Sequence, residues 1–193
     1  MEATGKRQKP IVFLDRDGVI NQDSEDYIKN PSEFHFIPRS PEAVALLNRH
    51  GFEVIVITNQ SLIGRKMADL PTLEAIFDKM KTGIEQAGGR IRDIFFCPHA
   101  PEEGCDCRKP KPGLIFKAAQ VHGIDPAEAV MVGDSAKDIE CGRNAGCGRT
   151  CLVATGNGQN ALKDLNQKGM SPDYLGTDLY DVAEWIIKNT DRS

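Results

Sequence analysis

The sequence contains no apolar run near the roughly 20 residues needed to span a bilayer, and Met1 to Lys9 is polar, without the apolar core of a signal peptide. The expectation is a cytoplasmic protein with no membrane partner. Nor is there a Lys/Arg-rich block beyond the scattered Lys6, Arg7 and Lys9, and the formal net charge is −4. That balance disfavours nucleic acid and favours a small molecule as the partner, with a monomer as the default state. Internal repeats, low-complexity segments and a disorder signature are also lacking, and 193 residues leave no room for a second large domain. A single domain over 1–193 follows. In such a compartment the six cysteines are not a disulfide framework, so they need another explanation.

What is there centres on Ile11 to Asn21. Ile11, Val12, Phe13 and Leu14 form a continuous apolar run, as in a strand buried on both faces of a parallel sheet, and Asp15 and Asp17 arrive at its C-terminal end before Gly18 turns the chain. Two close carboxylates repel, and a hard cation such as Mg²⁺ would balance them. A carboxylate at that position can attack phosphorus, and its neighbour can protonate a leaving oxygen and then activate water. Asp-Arg-Asp-Gly is equally what a polar turn after a core strand contains. The rest of the chain decides between these readings.

The polar stretch Gln22 to Phe36, with Asp23, Asp26 and Tyr27, leaves directly from the carboxylate pair. Ser40 is expected to cap a helix ending at Gly51. Phe52 to Ile57 reads as a second strand running into Thr58, Asn59, Gln60 and Ser61, where the threonine hydroxyl could hold a phosphate oxygen. A longer helix begins at Asp69 and Pro71, buries Leu73, Ile76, Phe77, Met80 and Ile84, and stops at Gly88 and Gly89.

A third strand, Ile91 to Phe96, leads into Cys97-Pro-His99 and then Cys105-Asp106-Cys107. Four soft ligands within eleven residues suit a closed tetrahedral Zn²⁺ site, which is structural because it leaves no open position. Such a staple over 97–107 would fix Arg108 and Lys109 near Asp15. Pro112 opens a helix closed by Gly123. Val130 to Gly133 is a fourth strand, followed by Asp134, with Asp138 in the first turn of a helix capped by Ser135. A fifth strand at Thr150–Val153, helices near Gln159–Lys168 and Leu179–Lys188 and a short strand near Tyr174 complete the sheet, with Trp185 packing there. Cys141, Cys147 and Cys151 read as small apolar packing residues.

Taken together, Asp-x-Asp-Gly, Thr-Asn, a lysine after a metal loop and Gly-Asp-x-x-x-Asp resemble the four motifs of the haloacid dehalogenase superfamily over nearly the whole chain. Phe-Leu-Asp-Arg-Asp-Gly, Thr-Asn-Gln-Ser and Cys-Asp-Cys-Arg-Lys-Pro are similar, more narrowly, to the D-glycero-D-manno-heptose 1,7-bisphosphate 7-phosphatases and the related histidinol-phosphatases. The resemblance implies a three-layer, Rossmann-like α/β fold with a mostly parallel sheet, no separate cap domain, and a zinc loop in place of a lid. It implies Asp15 as nucleophile, Asp17 as general acid/base, and Mg²⁺ on Asp15, the Asp17 backbone carbonyl and Asp134. Thr58 and Lys109 would steady the phosphoryl group and Asp138 would support them. Arg108, Asn21, Asp23, Tyr27, Asn59, Gln60 and Ser61 would meet the substrate, and Cys97, His99, Cys105 and Cys107 would bind zinc.

The implied reaction is removal of the 7-phosphate in heptose synthesis for the lipopolysaccharide envelope. The competing readings are a histidinol-phosphatase and a non-catalytic, zinc-stapled binding protein. Two departures stand out. Leu62-Ile63-Gly64-Arg65-Lys66 replaces the family's Gly-Ile-Ala-Arg-Gly, and Ser135 replaces a lysine that often follows the fourth-motif aspartate, a charge that Lys137 could supply.

Overall fold

A computed structural model describes residues 9–190. Six strands form one sheet: β1 (Ile11–Leu14), β2 (Glu53–Asn59), β3 (Ile91–Cys97), β4 (Val130–Gly133), β5 (Arg149–Val153) and β6 (Tyr174–Gly176). Their order is β3-β2-β1-β4-β5-β6, and every pairing is parallel, so the expected mostly parallel sheet is wholly parallel among the described residues. Parallel neighbours need crossovers, and helices supply them: α1 (Ser40–Arg49), α2 (Leu70–Gln86), α3 (Gly113–His122), α4 (Ala136–Ala145), α5 (Gly158–Gln167) and α6 (Leu179–Asn189).

The two-residue period of a strand sorts its side chains into two layers. Val12, Leu14, Val54, Val56 and Val132 face the helices α1, α2 and α6 in one cluster. Ile11, Phe13, Ile55, Ile57 and Met131 face the opposite layer with Leu114, Ile115 and Ala118 of α3 and Cys141 of α4. Leu152 meets Ala161 and Leu165 of α5 beside them. Both faces are covered, which is why the inner strands β1, β2 and β4 carry unbroken apolar runs. Trp185 stacks on Tyr174 with ring centroids 4.8 Å apart, and Cys141, Cys147 and Cys151 are buried, as expected.

Most helix starts follow their sequence signals. Asp69 caps α2 by accepting from the Thr72 N–H at 3.0 Å. Ser135 caps α4 in a reciprocal box with Asp138. Ser40 is the exception: the cap of α1 is Arg39, in a left-handed conformation, and Ser40 is the first helical residue, its hydroxyl donating to the Ile20 carbonyl at 2.5 Å. Ser40 is already within the helix, and its hydroxyl serves as a donor to a buried carbonyl in the turn after β1.

The sheet order places the site. From β1 the chain steps outward to β2 and β3, then returns to β4 on the other side of β1 and steps outward again. The strand ends of β1 and β4 therefore open onto the crevice where the winding reverses, the position at which open parallel sheets bind ligands. No helix among the described residues is long and apolar enough to cross a membrane.

Candidate active site

Register brings the acidic residues together. Leu14 of β1 lies opposite Val132 of β4, and the Asp15 N–H continues the ladder by donating to the Val132 carbonyl at 3.0 Å. Asp15, Asp134 and Asp138 then each offer a carboxylate oxygen within 4.8 Å of the others; Asp134 and Asp138 are buried and the Asp15 side chain is 13% exposed. Lys109, 3% exposed, sets its ammonium between Asp15 and Asp138: Nζ lies 2.8 Å from Asp15 Oδ1, 2.6 Å from Asp138 Oδ1 and 2.9 Å from the Ile57 carbonyl. All three ammonium donors are thus engaged.

One lysine does not balance three carboxylates. Burial, only partly offset by Lys109, and then the charges of Asp138 and Asp17 push Asp15 up to about 7. Burial followed by the charges of Asp15 and Asp138 pushes Asp134 to about 8, against the Asn157 N–H and Lys109. Burial disfavours a charged Lys109, but its two carboxylate partners outweigh that and raise it above its ordinary value. This surplus of buried anionic oxygen is the charge pattern of a hard-cation site, and its all-oxygen donors suit Mg²⁺.

Asp17 stands apart from this group. Arg16, which carries no role in the motif reading, is 1% exposed, and its Nη2 donates to both oxygens of Asp17 at 2.8 Å. Asn21 donates to Asp17 Oδ1 and Gln60 to Oδ2, both at 2.9 Å. Burial alone would raise Asp17, but the Arg16 charge and these hydrogen bonds outweigh it and hold the carboxyl below its usual range.

Three of the residues expected at the substrate also have partners within the protein. Asn21 is fully buried, does not line the cavity and holds Asp17. Asn59 lines the cavity and also exchanges hydrogen bonds with the backbone of Lys109, at 3.1 and 3.3 Å, which fixes the main chain there. Gln60 lines the cavity but directs its amide to Asp17 and Thr58. A residue name in a strand-end turn does not say which way an amide points. Arg16 carried one usable sign, its position between two aspartates at the end of a core strand.

The cavity above these groups has a volume of about 1060 Å³. Its walls include Asp23, Tyr27, Thr58, Ser61, Arg108 and Lys137, so both arms of the chain expected at the substrate reach it. Ser135, in place of the family's lysine, uses its hydroxyl and N–H on Asp138 Oδ2 at 2.6 and 3.0 Å, while Lys137 is exposed at the rim. The segment 97–107, expected to stand in for a lid, contributes nothing to the described lining; that wall is built by 22–28, and the chain after the cysteine loop reaches the cavity through Arg108 and Lys109.

Beside the site, Cys97, His99, Cys105 and Cys107 converge at the end of β3. Their donor atoms are 3.1–3.6 Å apart along five of the contacts between them. Those separations lie close to the edges of about 3.5–3.8 Å expected of a tetrahedron with metal–sulfur bonds of roughly 2.3 Å, so the donor set fits Zn²⁺. Arg108 ties back into this loop through the His99 carbonyl at 3.2 Å, and Lys111 through the Cys105 carbonyl at 2.8 Å.

The sheet order, the strand-end aspartate with its lysine and the fourth-strand aspartates define a haloacid-dehalogenase-type hydrolase, and residues 106–182 match the family model described as HAD-hydrolase-like. Within that class the chain belongs to the D-glycero-D-manno-heptose-1,7-bisphosphate 7-phosphatase family. It is 43% identical over 182 residues to the D-glycero-beta-D-manno-heptose-1,7-bisphosphate 7-phosphatase of Bordetella bronchiseptica, covering 92% of this chain and 98% of that one. The Pseudomonas aeruginosa enzyme of the same name is 45% identical over 80% of this chain and 86% of its own. A crystal structure of the D,D-heptose 1,7-bisphosphate phosphatase from B. bronchiseptica, complexed with magnesium and phosphate, superposes with a TM-score of 0.87 at 41% identity, covering 93% of this chain and 98% of that one.

Proposed function

We propose that this protein hydrolyses the 7-phosphate of D-glycero-D-manno-heptose 1,7-bisphosphate through an aspartyl-phosphate on Asp15. The observation that carries the reading is the buried Asp15–Lys109–Asp138 chain beside Asp134, at the strand-order reversal, in a chain with relatives of that activity. An Asp15 oxygen bonds to phosphorus as the bond from phosphorus to the sugar oxygen breaks, and Asp17 gives that oxygen a proton. Water then attacks the aspartyl-phosphate, Asp17 takes a proton from it, and phosphate leaves with Asp15 restored.

Lys109 lowers the charge barrier to an anion approaching an anion, and Thr58, at the tip of β2 in the cavity wall, offers a hydroxyl to the transferring group. Arg108 supplies a planar cation at the substrate wall. Asp15, Asp134 and the Asp17 carbonyl would hold Mg²⁺, which when bound supplies positive charge against the phosphate oxygens. Cys97, His99, Cys105 and Cys107 would hold Zn²⁺ as a closed structural site that anchors the segment leading to Lys109.

Purified protein with Mg²⁺ is expected to release phosphate from heptose bisphosphate in preference to histidinol phosphate, and Asp15→Asn to abolish that release. Efficient turnover of histidinol phosphate with heptose bisphosphate ignored would reassign the substrate. Full activity in Asp15→Asn would remove the covalent mechanism.

A further inference from the structure

The loop after β5 touches the catalytic end of the sheet at two points that the chemistry above does not use. The Thr155 hydroxyl donates to the Gly18 carbonyl at 2.7 Å, joining the turn after β5 to the turn after β1. The Asn157 N–H donates to Asp134 Oδ2 at 2.8 Å. Between them is Gly156, with φ +58°, where a Cβ would stand 2.2 Å from Asp134 Oδ2 and 2.7 Å from the Gly18 Cα. Gly18 has φ +78°, and a Cβ there would stand 2.1 Å from the same oxygen. Two bare backbones from distant parts of the chain therefore enclose one carboxylate, and the N–H of Asn157, next to Gly156, hydrogen-bonds it. Thr155, Gly156 and Asn157 line the cavity alongside Asp15 and Asp134.

A carboxylate that rotates freely presents its oxygens to a cation in many directions, whereas Mg²⁺ demands near-octahedral placement. Hydrogen bonds to the ligand's remaining atoms restrict that freedom. We propose that Thr155, Gly156 and Asn157 form a positioning segment for the divalent cation of the active site. Thr155 fastens the loop to the β1 turn, the missing side chain at 156 allows the approach, and the Asn157 N–H sets the rotation of Asp134. The inference rests on Asp134 being a magnesium ligand, and it assigns this segment no direct part in bond breaking.

The test is the rise in unfolding temperature with Mg²⁺ concentration, each protein measured against its own metal-free baseline, for wild type, Thr155→Val, Thr155→Ser, Gly156→Ala and Asp134→Asn. Wild type is expected to be stabilised by Mg²⁺ and Asp134→Asn to lose most of that response. Thr155→Val and Gly156→Ala are expected to need about tenfold more Mg²⁺ for half the shift, as for other lost outer contacts to metal ligands, with Thr155→Ser restoring most of the response. At saturating Mg²⁺ the Thr155→Val enzyme is expected to regain much of its kcat. If Thr155→Val does not fold, Gly156→Ala, which keeps every hydrogen-bonding group, decides. Titrations of both variants that match wild type overturn the inference and leave the magnesium reading intact. A wild type blind to Mg²⁺, or an Asp134→Asn variant that responds fully, overturns that reading and the inference with it.

Discussion

Arg16 stands between the two aspartates at the end of β1, yet its guanidinium is committed to Asp17 alone. The arginine is 1% exposed and the Asp17 side chain 21%, so the pair is buried on one side and open to the cavity on the other. Removing one partner of such a pair leaves the other charge without compensation, which costs more than the pair itself is worth. Arg16→Met is therefore expected to destabilise the protein by about 2–4 kcal/mol in denaturant unfolding, toward the lower side for a buried pair because Asp17 keeps contact with solvent. Adding Asp17→Asn should recover part of that loss. A double variant no more stable than Arg16→Met would show that the guanidinium acts through its packing near the Phe77 ring instead. Lys66 is a second residue under local constraint, with φ +57° at a position where the family pattern carries glycine.

At the level of elements, the cysteine loop between β3 and α3 joins a cluster of soft donors to the buried Lys109 within a few residues. Cys97 is the buried last residue of β3, but His99, Cys105 and Cys107 lie in the loop beyond it, so losing the metal should loosen the loop without unfolding the domain. Cys105→Ser is expected to lower metal content and kcat together while the far-ultraviolet circular dichroism stays near that of wild type. Unchanged kcat with lost metal would uncouple the loop from Lys109. The strands of this fold were readable because burial on both faces makes them unbroken apolar runs, as in Ile11–Leu14 and Val130–Val132. Aspartates that interrupt such runs were readable for the same reason. Asn21, Asn59 and Gln60 were read as facing substrate; polar side chains at a strand end carry no sign of direction, and here Asp17 and the Lys109 backbone take up their amides, although Asn59 and Gln60 also line the cavity. Thr155 and Gly156 left no pattern at all, since their importance comes from a turn at the other end of the chain.

For the molecule as a whole, protonation and metal binding oppose each other. In the metal-free fold Asp15 and Asp134 are raised from 3.8 to about 7 and about 8. Between about pH 4 and 8 the folded protein then holds more protons than the unfolded chain, so this contribution is fully present below about 4 and lost as pH rises through 7 to 8. Mg²⁺ requires those protons to leave, and its stabilising effect should grow over the same window. Unfolding temperatures with and without Mg²⁺ at pH 6 and pH 8 check this, and a metal effect that shrinks with pH would contradict it. The strand order also bears on synthesis. A nascent chain that has emerged only as far as β3 has β1 at the margin of a three-stranded sheet, with one row of backbone donors and acceptors unpaired and with Asp134 and Asp138, two of the three grouped aspartates, yet to emerge. Catalytic competence would thus arrive late on the ribosome, when the fourth strand closes that margin, and N-terminal fragments would be both inert and adhesive.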